Sequence, residues 1–402
     1  MITGERATRR TRSRQLLEAT LGLTQLWLSA STAYLLMLLV NGRRPASPVA
    51  AREPVEWPPM LVLVPAHDEE TIIEQCVAAL VSQDYPGDCS VVVIADNCSD
   101  RTATIARDAG ATVLSRTDAQ APGKGHALNW ALQRLQDSDE EIVMFVDADC
   151  VASPNLCREV ARAMSRSQVS VVQARYDVSN PEASTTSALR AGGFLLKHVI
   201  QPRGRERLGL SCGLFGSGMA FRRSLMREVT WPTSVTEDIE LHLRLVRSGT
   251  VVHYLETGSV TSPMPLSSAQ AAEQQLRWES GNAEMRRRYG LKLIAAGVTA
   301  RRMPPVASGL ELFIPPQSLL VGASVSLGSA FIALRRPRLG ILGAATAAAD
   351  GLYVVAGLAF AGASPETFRA LIASPGFMAG RLRVIGRVMS GRRASGWVRT
   401  RR

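Results

Sequence analysis

Between residues 60 and 146 short apolar runs alternate with polar stretches of helical period. The runs are LVLVPA (61–66), VVVIAD (91–96), ATVLS (111–115) and IVMFV (142–146), and between them lie 71–81, 102–108 and 126–135. Unbroken apolar runs of this length suit strands buried on both faces. Their alternation with helical stretches predicts βαβ units, hence an α/β fold with a mostly parallel sheet. The second half is less regular, with a further strand expected at 169–174 and a helix over 268–288. No internal repeat is visible.

The flanks follow another pattern. Residues 21–40 (LGLTQLWLSASTAYLLMLLV) carry no charge for twenty positions, about the length of one bilayer crossing. They follow an Arg-rich stretch and lack a small-residue cleavage site, which predicts an anchor rather than a removed leader. Thr24, Gln25, Ser29, Ser31 and Thr32 dilute the apolarity, so a buried core helix is the competing reading. Near the other end, 312–334 is uncharged and 339–363 carries only Asp350, with the basic break Arg335-Arg336-Pro337-Arg338 between them. Two crossings are expected there, or a re-entrant hairpin given Pro315-Pro316. From Pro375, apolar residues mixed with Arg381, Arg383 and Arg387 predict a basic helix lying in the interface plane. Three crossings with a cytosolic central domain would put the Arg-rich N-terminus outside, against the positive-inside tendency. A first segment that does not cross would remove that conflict. The expected division is a basic stretch and anchor (1–42), a Pro- and Arg-rich linker (43–58), a catalytic domain (59–300), C-terminal membrane helices (301–366) and a basic tail (367–402).

A net charge of +11 suggests nucleic acid until its distribution is read. The tails 1–14 and 367–402 together carry +13, which leaves 15–366 at −2. A duplex-binding domain is expected to be basic itself, so no nucleic-acid partner is expected. Basic ends beside apolar segments instead suit anionic lipid head groups. The six Cys form no Cys-x-x-Cys pair and have no zinc-like spacing to His, and are expected as reduced thiols.

Candidate chemistry falls at the predicted strand ends, where open α/β sheets bind ligands. The run 142–146 ends on Asp147-Ala148-Asp149. Such a pair can grip a hard divalent cation whose other ligands are phosphate oxygens and water, and it also occurs as an ordinary acidic turn. The first strand runs into His67-Asp68-Glu69-Glu70. His67 can stack on a base and the acids can hold a ribose; equally, Asp68 can cap the next helix with Glu69 and Glu70 as first-turn acids. After the second strand, Asp96 can accept a hydrogen bond from the N3–H of a uracil, while Asp100 reads as a helix cap. Gly123-Lys124-Gly125 opens a helix after a Pro-Gly turn and is not a Walker loop. A Lys between glycines at a helix start can still reach a diphosphate, and the chain has only three Lys against forty-three Arg. Further on come Gly216-Ser217-Gly218 and the helix start Thr236-Glu237-Asp238, with Thr236 as a candidate cap. Last are Gln274, Arg277 and Trp278, on one helix face by i, i+3, i+4 spacing.

In this order, Val64-Pro65-Ala66-x-x-Glu69, the strand-end Asp96, Gly123-Lys124, Asp147-x-Asp149, Thr236-Glu237-Asp238 and Gln274-x-x-Arg277-Trp278 resemble the family 2 inverting glycosyltransferases. The likeness is to the membrane-bound members with the Gln-x-x-Arg-Trp signature, the polysaccharide synthases and their relatives, and it spans roughly 58–290. It implies a GT-A fold, one Rossmann-like domain that binds a nucleotide sugar, here a UDP-sugar, and Mg2+ or Mn2+. Carried over by position, the resemblance puts Asp96 on the uracil, and His67 and Glu69 in the nucleotide-binding group. Lys124 then lies at the diphosphate, Asp147 at the nucleotide–sugar part of the donor and Asp149 on the metal. Asp238 matches the general base, with Glu237 beside it to raise its pKa. Gln274, Arg277 and Trp278 match the motif that closes over the diphosphate and shapes the acceptor entrance. Gly216, Ser217 and Gly218 fall at the acceptor loop.

Two departures stand out: Asp68 replaces the usual Asn, and the few C-terminal crossings weaken a processive export role. The implied activity is transfer to a saccharide or lipid-linked acceptor at the plasma membrane, with the catalytic domain facing the cytosol. The alternatives are a polyprenyl-phosphate glycosyltransferase and a non-catalytic membrane scaffold. Intact Asp147, Asp149, Asp238 and Arg277 argue against the scaffold.

Overall fold

The computed structural model describes residues 2–45 and 54–373, together with positions 376, 383 and 386. Its strands are β1 (Met60–Ala66), β2 (Cys89–Asp96), β3 (Thr112–Arg116), β4 (Ile142–Phe145), β5 (Val151–Ala152), β6 (Val171–Val178), β7 (Met219–Arg222) and β8 (His253–Ser262). They form one sheet in the spatial order β3-β2-β1-β4-β7-β6-β8-β5. The half from β3 to β4 is parallel throughout. β7 enters antiparallel between β4 and β6, β6 and β8 are parallel, and β5 closes the far edge antiparallel to β8.

The four apolar runs become β1 to β4, and the polar stretches between them become helices Ile73–Val81, Thr102–Asp108 and Lys124–Arg134. Alternate residues of one strand feed two cores, as burial on both faces requires. Met60, Val62 and Val64 pack with Ile73, Val77 and Leu80 on one face. Leu61 and Leu63 pack with Ala127, Leu128 and Leu241 on the other. The elements not foreseen lie later in the chain. β7 has four residues and directly follows a glycine-rich turn, and β8 carries Glu256 and four hydroxyl residues, so neither reads as an apolar run. Helix Thr185–Leu195 continues through a π-turn at Leu196–Ile200 into Gln201–Arg207. The helix expected over 268–288 runs on as Ser268–Thr299.

The apolar flanks assemble into a bundle of Ile2–Gly42, Gln317–Ala333 and Pro337–Ala361 around Leu28, Leu35, Leu320, Tyr353 and Leu358. Leu196, Val199 and Ile200 join this core from the catalytic side. Among the described residues, two helices, Gln15–Gly42 and Pro337–Ala361, are long and apolar enough to cross a bilayer. The first segment is partly buried and partly exposed. Its polar residues face the neighbouring helices: Thr32 Oγ1 donates to Asp350 Oδ1 at 3.0 Å, and the hydroxyls of Ser29 and Thr346 share a hydrogen bond of 2.8 Å. Leu23, Leu26, Trp27, Met37 and Val40 point outward. The uncharged stretch 312–334 is broken at Pro315-Pro316. Its helix Gln317–Ala333 has 17 residues and spans about 26 Å, less than the roughly 30 Å of a hydrocarbon core. The linker between 46 and 53, and the interfacial helix expected from Pro375, lie outside the described residues.

The bundle meets the α/β body through two glycines. A Cβ on Gly204 would sit 2.4 Å from the Leu38 carbonyl oxygen, and one on Gly42 would sit 2.4 Å from that of Ile200. Only bare backbone allows helices to cross this closely. Gly204→Ala should therefore destabilise the full chain by about 1–3 kcal/mol through overpacking. Gly193→Ala, whose Cβ meets open space, should be neutral or slightly stabilising. Thermal unfolding of the two variants side by side checks the contrast.

Candidate active site

The crevice beyond the C-terminal ends of β1, β2 and β4 collects most of the expected residues. β4 delivers Asp147, whose backbone N–H donates to Ser217 Oγ at 3.0 Å. Lys124, at the start of its helix, donates from Nζ to Asp147 Oδ1 at 2.6 Å and to the Gly216 carbonyl at 2.7 Å. The same ammonium lies 3.5 Å from Glu237 Oε1. Gly216 sits at φ +87, and a Cβ there would lie 3.5 Å from Asp238 Oδ2, 3.7 Å from Asp147 Oδ2 and 3.9 Å from Lys124 Nζ. Three distant segments thus bring one ammonium and three carboxylates around a glycine. Ser217 is fully buried beneath them as a support for Asp147, and Gly218 (φ +68) donates its N–H to the Phe145 carbonyl.

The charges tune one another. Burial works against the charge of Lys124, but Asp147 and Glu237 outweigh it and hold the ammonium well above the ordinary Lys range. Burial raises Asp147, Glu237 and Asp238 above the usual carboxylate range, with Lys124 pulling each back. Asp238 is further restrained by the Ile239 N–H, which donates to its Oδ1 at 2.8 Å. Thr236 occupies the cap position of this helix, yet its side chain makes no cap bond and Oγ1 is buried without a partner.

A second group lies at the ends of β1 and β2. Asp96 is buried and paired with Arg116, Nη1 to Oδ1 at 2.5 Å. His67 Nδ1 lies 2.7 Å from the Asp96 carbonyl oxygen. The Glu69 N–H donates to Thr102 Oγ1 at 2.7 Å. Asp68, a candidate cap, does something else: at φ 52 it turns its carboxylate onto the next loop and accepts from the Ser99 N–H at 2.6 Å. Asp100, expected as a helix cap, sits one residue before the cap position held by Arg101, and there accepts from the Thr102 N–H at 2.9 Å and the Glu70 N–H at 3.1 Å.

Helix Ser268–Thr299 lies across the acid helix. A Cβ on Gly281 would be 2.2 Å from Thr236 Cγ2, so the helix that carries Gln274, Arg277 and Trp278 packs directly on the residue before Glu237 and Asp238. Gln274 Oε1 accepts from Arg190 Nη2 at 2.5 Å, and the Arg190 guanidinium lies 5.5 Å from the Trp278 ring centre. Sequence reasoning missed Arg116, Arg190 and Gly281. Each makes its contact across the fold, and nothing near it in the chain singles out one Arg among forty-three.

A divalent metal fits one corner of this site. Asp147, Asp149 and Cys150 bring ligand atoms within 4.8 Å of one another. Burial pushes the Cys150 thiol well up, so it stays protonated. That leaves hard carboxylate oxygens, the donors Mg2+ and Mn2+ prefer.

The sheet order is that of a GT-A-like fold. Residues 58–281, more than half of the chain, match the family model described as glycosyltransferase like family 2, and the chain belongs to that family. It is 24% identical over 267 residues to an N-acetylglucosaminyltransferase of Rhizobium meliloti, covering 61% of this chain and 62% of that one. It is 28% identical over 228 residues to a beta-monoglucosyldiacylglycerol synthase of Trichormus variabilis, covering 55% and 48%. The chain thus spans less than two thirds of the length of these relatives. Among solved structures, it is similar to a mannosyltransferase from Pyrobaculum calidifontis in complex with GDP-Man and Mn2+. That match has a TM-score of 0.52 and 19% identity, and covers 85% of this chain and 97% of that one.

The close packing at Gly281 gives a test. Gly281→Ala should lift the helix from Thr236 and lower transferase turnover about tenfold, a loss typical of a small misplacement. Adding Thr236→Ala, which removes the two nearest atoms, should restore part of it in the same turnover assay.

Proposed function

We propose that the chain is a membrane-associated inverting transferase that moves a sugar from a nucleotide sugar, most simply a UDP-sugar, to a saccharide or lipid-linked acceptor in cell-surface polysaccharide or glycolipid synthesis. The observation that carries this reading is the convergence of Lys124, Asp147, Glu237 and Asp238 on Gly216, beneath the helix of Gln274, Arg277 and Trp278. The names of the relatives, an N-acetylglucosaminyltransferase and a glucosyldiacylglycerol synthase, support testing N-acetylglucosamine and glucose donors and a diacylglycerol acceptor.

Each group has a role in this reading. Asp96, fixed by Arg116, accepts from the base, with His67 and Glu69 beside the nucleoside. Asp147 faces the nucleotide–sugar part, and Lys124 gives up part of its hold on Asp147 to the incoming diphosphate. Asp149 holds the divalent cation, which when bound offsets the charge of the leaving diphosphate. Asp238 takes the proton of the acceptor hydroxyl as that oxygen attacks the anomeric carbon. The bond from that carbon to the diphosphate oxygen breaks in line, so an α-linked donor yields a β-linked product and a free nucleoside diphosphate. Burial raises Asp238 in the direction a general base needs. Arg277 adds positive charge where the diphosphate leaves, while Gln274 and Trp278 shape the acceptor entrance. Gly216 and Gly218 leave room for the acceptor, with Ser217 supporting the loop.

Membrane association rests on the two long apolar helices and their outward-facing Leu, Trp and Phe side chains. In this reading the catalytic domain faces the cytosol at the plasma membrane. The proposed division remains 1–42, 43–58, 59–300, 301–366 and 367–402. Within it, helix Met303–Glu311 packs closely on Ser268–Thr299 through Gly290, Gly297 and Gly309.

Two outcomes are expected. Asp238→Asn should lower transfer by about 10²–10⁴-fold while UDP affinity stays within about threefold of wild type; retained turnover would remove Asp238 from the role of base. Stripping divalent metal with a chelator should abolish UDP release from UDP-sugars, and Mn2+ or Mg2+ should restore it in the wild type but not in Asp149→Ala.

A further inference from the structure

The groups assigned to the acceptor side are carried on helix Ser268–Thr299, and something must fix that helix against the rest of the site. Arg190 is 8% exposed and sits on helix Thr185–Leu195. Its guanidinium touches two members of the motif at once, donating to Gln274 Oε1 at 2.5 Å and lying 5.5 Å from the Trp278 ring centre. Phe194, one turn on, tilts against the same ring at 6.3 Å. Residues i and i+4 of one helix thus hold residues i and i+4 of the other.

The helix that carries Arg190 is itself anchored on its far side. Gly192 lies against Thr367 and Leu358, and Leu196 lies over Gly357 of helix Pro337–Ala361. Val199 and Ile200 enter the bundle core. On the site side, His198 stacks at 4.3 Å on Phe215, the residue before Gly216. The π-turn at Leu196–Ile200 lets neighbouring residues serve both sides: Leu196, Val199 and Ile200 face the bundle, while His198 faces the site.

We propose that Arg190 is a positioning residue for the transfer reaction. It sets Gln274 and Trp278 over the Asp238 turn, and through its helix it ties their placement to the apolar bundle. This rests on the reading above, in which that motif serves the acceptor side. A planar guanidinium can donate to an amide oxygen and lie near an indole at the same time, which a Lys ammonium on a flexible stem does less well. The predicted effect therefore falls on acceptor use more than on the diphosphate contact of Arg277, with a graded response from Arg to Lys to Ala.

The test uses the full chain reconstituted into phosphatidylglycerol vesicles containing diacylglycerol as the acceptor probe, with UDP plus Mn2+ to read donor-side binding and UDP-glucose plus Mn2+ as the donor for transfer. Arg190→Ala should raise amide exchange across 274–281 at least roughly tenfold and lower transfer by roughly 10- to 100-fold, the range expected when a buried charged hydrogen bond is lost. UDP affinity and exchange in β1 and β4 should stay within about twofold, and Arg190→Lys should recover part of both losses. If Arg190→Ala does not fold, Arg190→Lys alone should show a smaller, local rise across 274–281. Unchanged exchange across 274–281, a rise shared equally by β1 and β4, or lost UDP affinity would overturn the proposal. Exchange is read without acceptor, so it decides the matter even if the wild type ignores diacylglycerol. Failure of the parent reading appears separately, as turnover that survives Asp238→Asn.

Discussion

The ammonium of Lys124 lies among Asp147, Glu237 and the carbonyl of Gly216, partners drawn from three distant stretches of chain. Without that cation, Asp147, Glu237 and Asp238 would face one another across a buried turn, where repulsion and lost solvation both work against them. With it, each carboxylate is pulled back toward its charged form and they stay close. Removing one partner of a buried charge group leaves the remainder uncompensated, which is why such clusters depend so heavily on one member. The loop at Gly216 adopts a positive φ to bring its carbonyl to the ammonium. Gly125 allows a similarly close approach on the other side, since a Cβ there would lie 2.1 Å from the Pro232 carbonyl oxygen.

The second constraint is mechanical. Helix Ser268–Thr299 rests on Thr236 through Gly281, and Arg190 and Phe194 grip its Gln274 and Trp278. Their helix is fixed in turn by the bundle of Ile2–Gly42, Gln317–Ala333 and Pro337–Ala361. The apolar part of the chain is therefore packed continuously with the candidate site. Arg205 adds to this connection: it pairs with Glu311 at 2.7 Å and donates to the Cys212 carbonyl at 3.0 Å.

Local pattern made the first half of the fold legible. β1 to β4 are apolar on both faces, so their runs stand out, and Asp96, Lys124 and Asp147 follow directly from the strand and helix ends. β7 and β8 escaped because one is four residues long and the other is rich in hydroxyl groups. The site was legible where a residue type is rare at its position, as with Lys124 between two glycines. It was not legible where a common residue acquires its role by long-range packing. Arg116 meets Asp96 from a neighbouring strand, Arg190 meets Gln274 eighty-four positions away, and Gly281 matters only because Thr236 lies beneath it. Asp68 shows the converse: its sequence context suggests a helix cap, but its backbone turn sends the carboxylate to the loop at Ser99.

On this reading the cluster around Lys124 is where donor and acceptor meet. An experimental structure of the full chain with UDP and Mn2+ tests it most directly. The expected result has the diphosphate within hydrogen-bonding reach of Lys124, the metal on Asp149, the base beside Asp96, and Asp238 facing the open end of the diphosphate. A nucleotide bound away from Lys124, or Asp238 turned away from it, would contradict that claim.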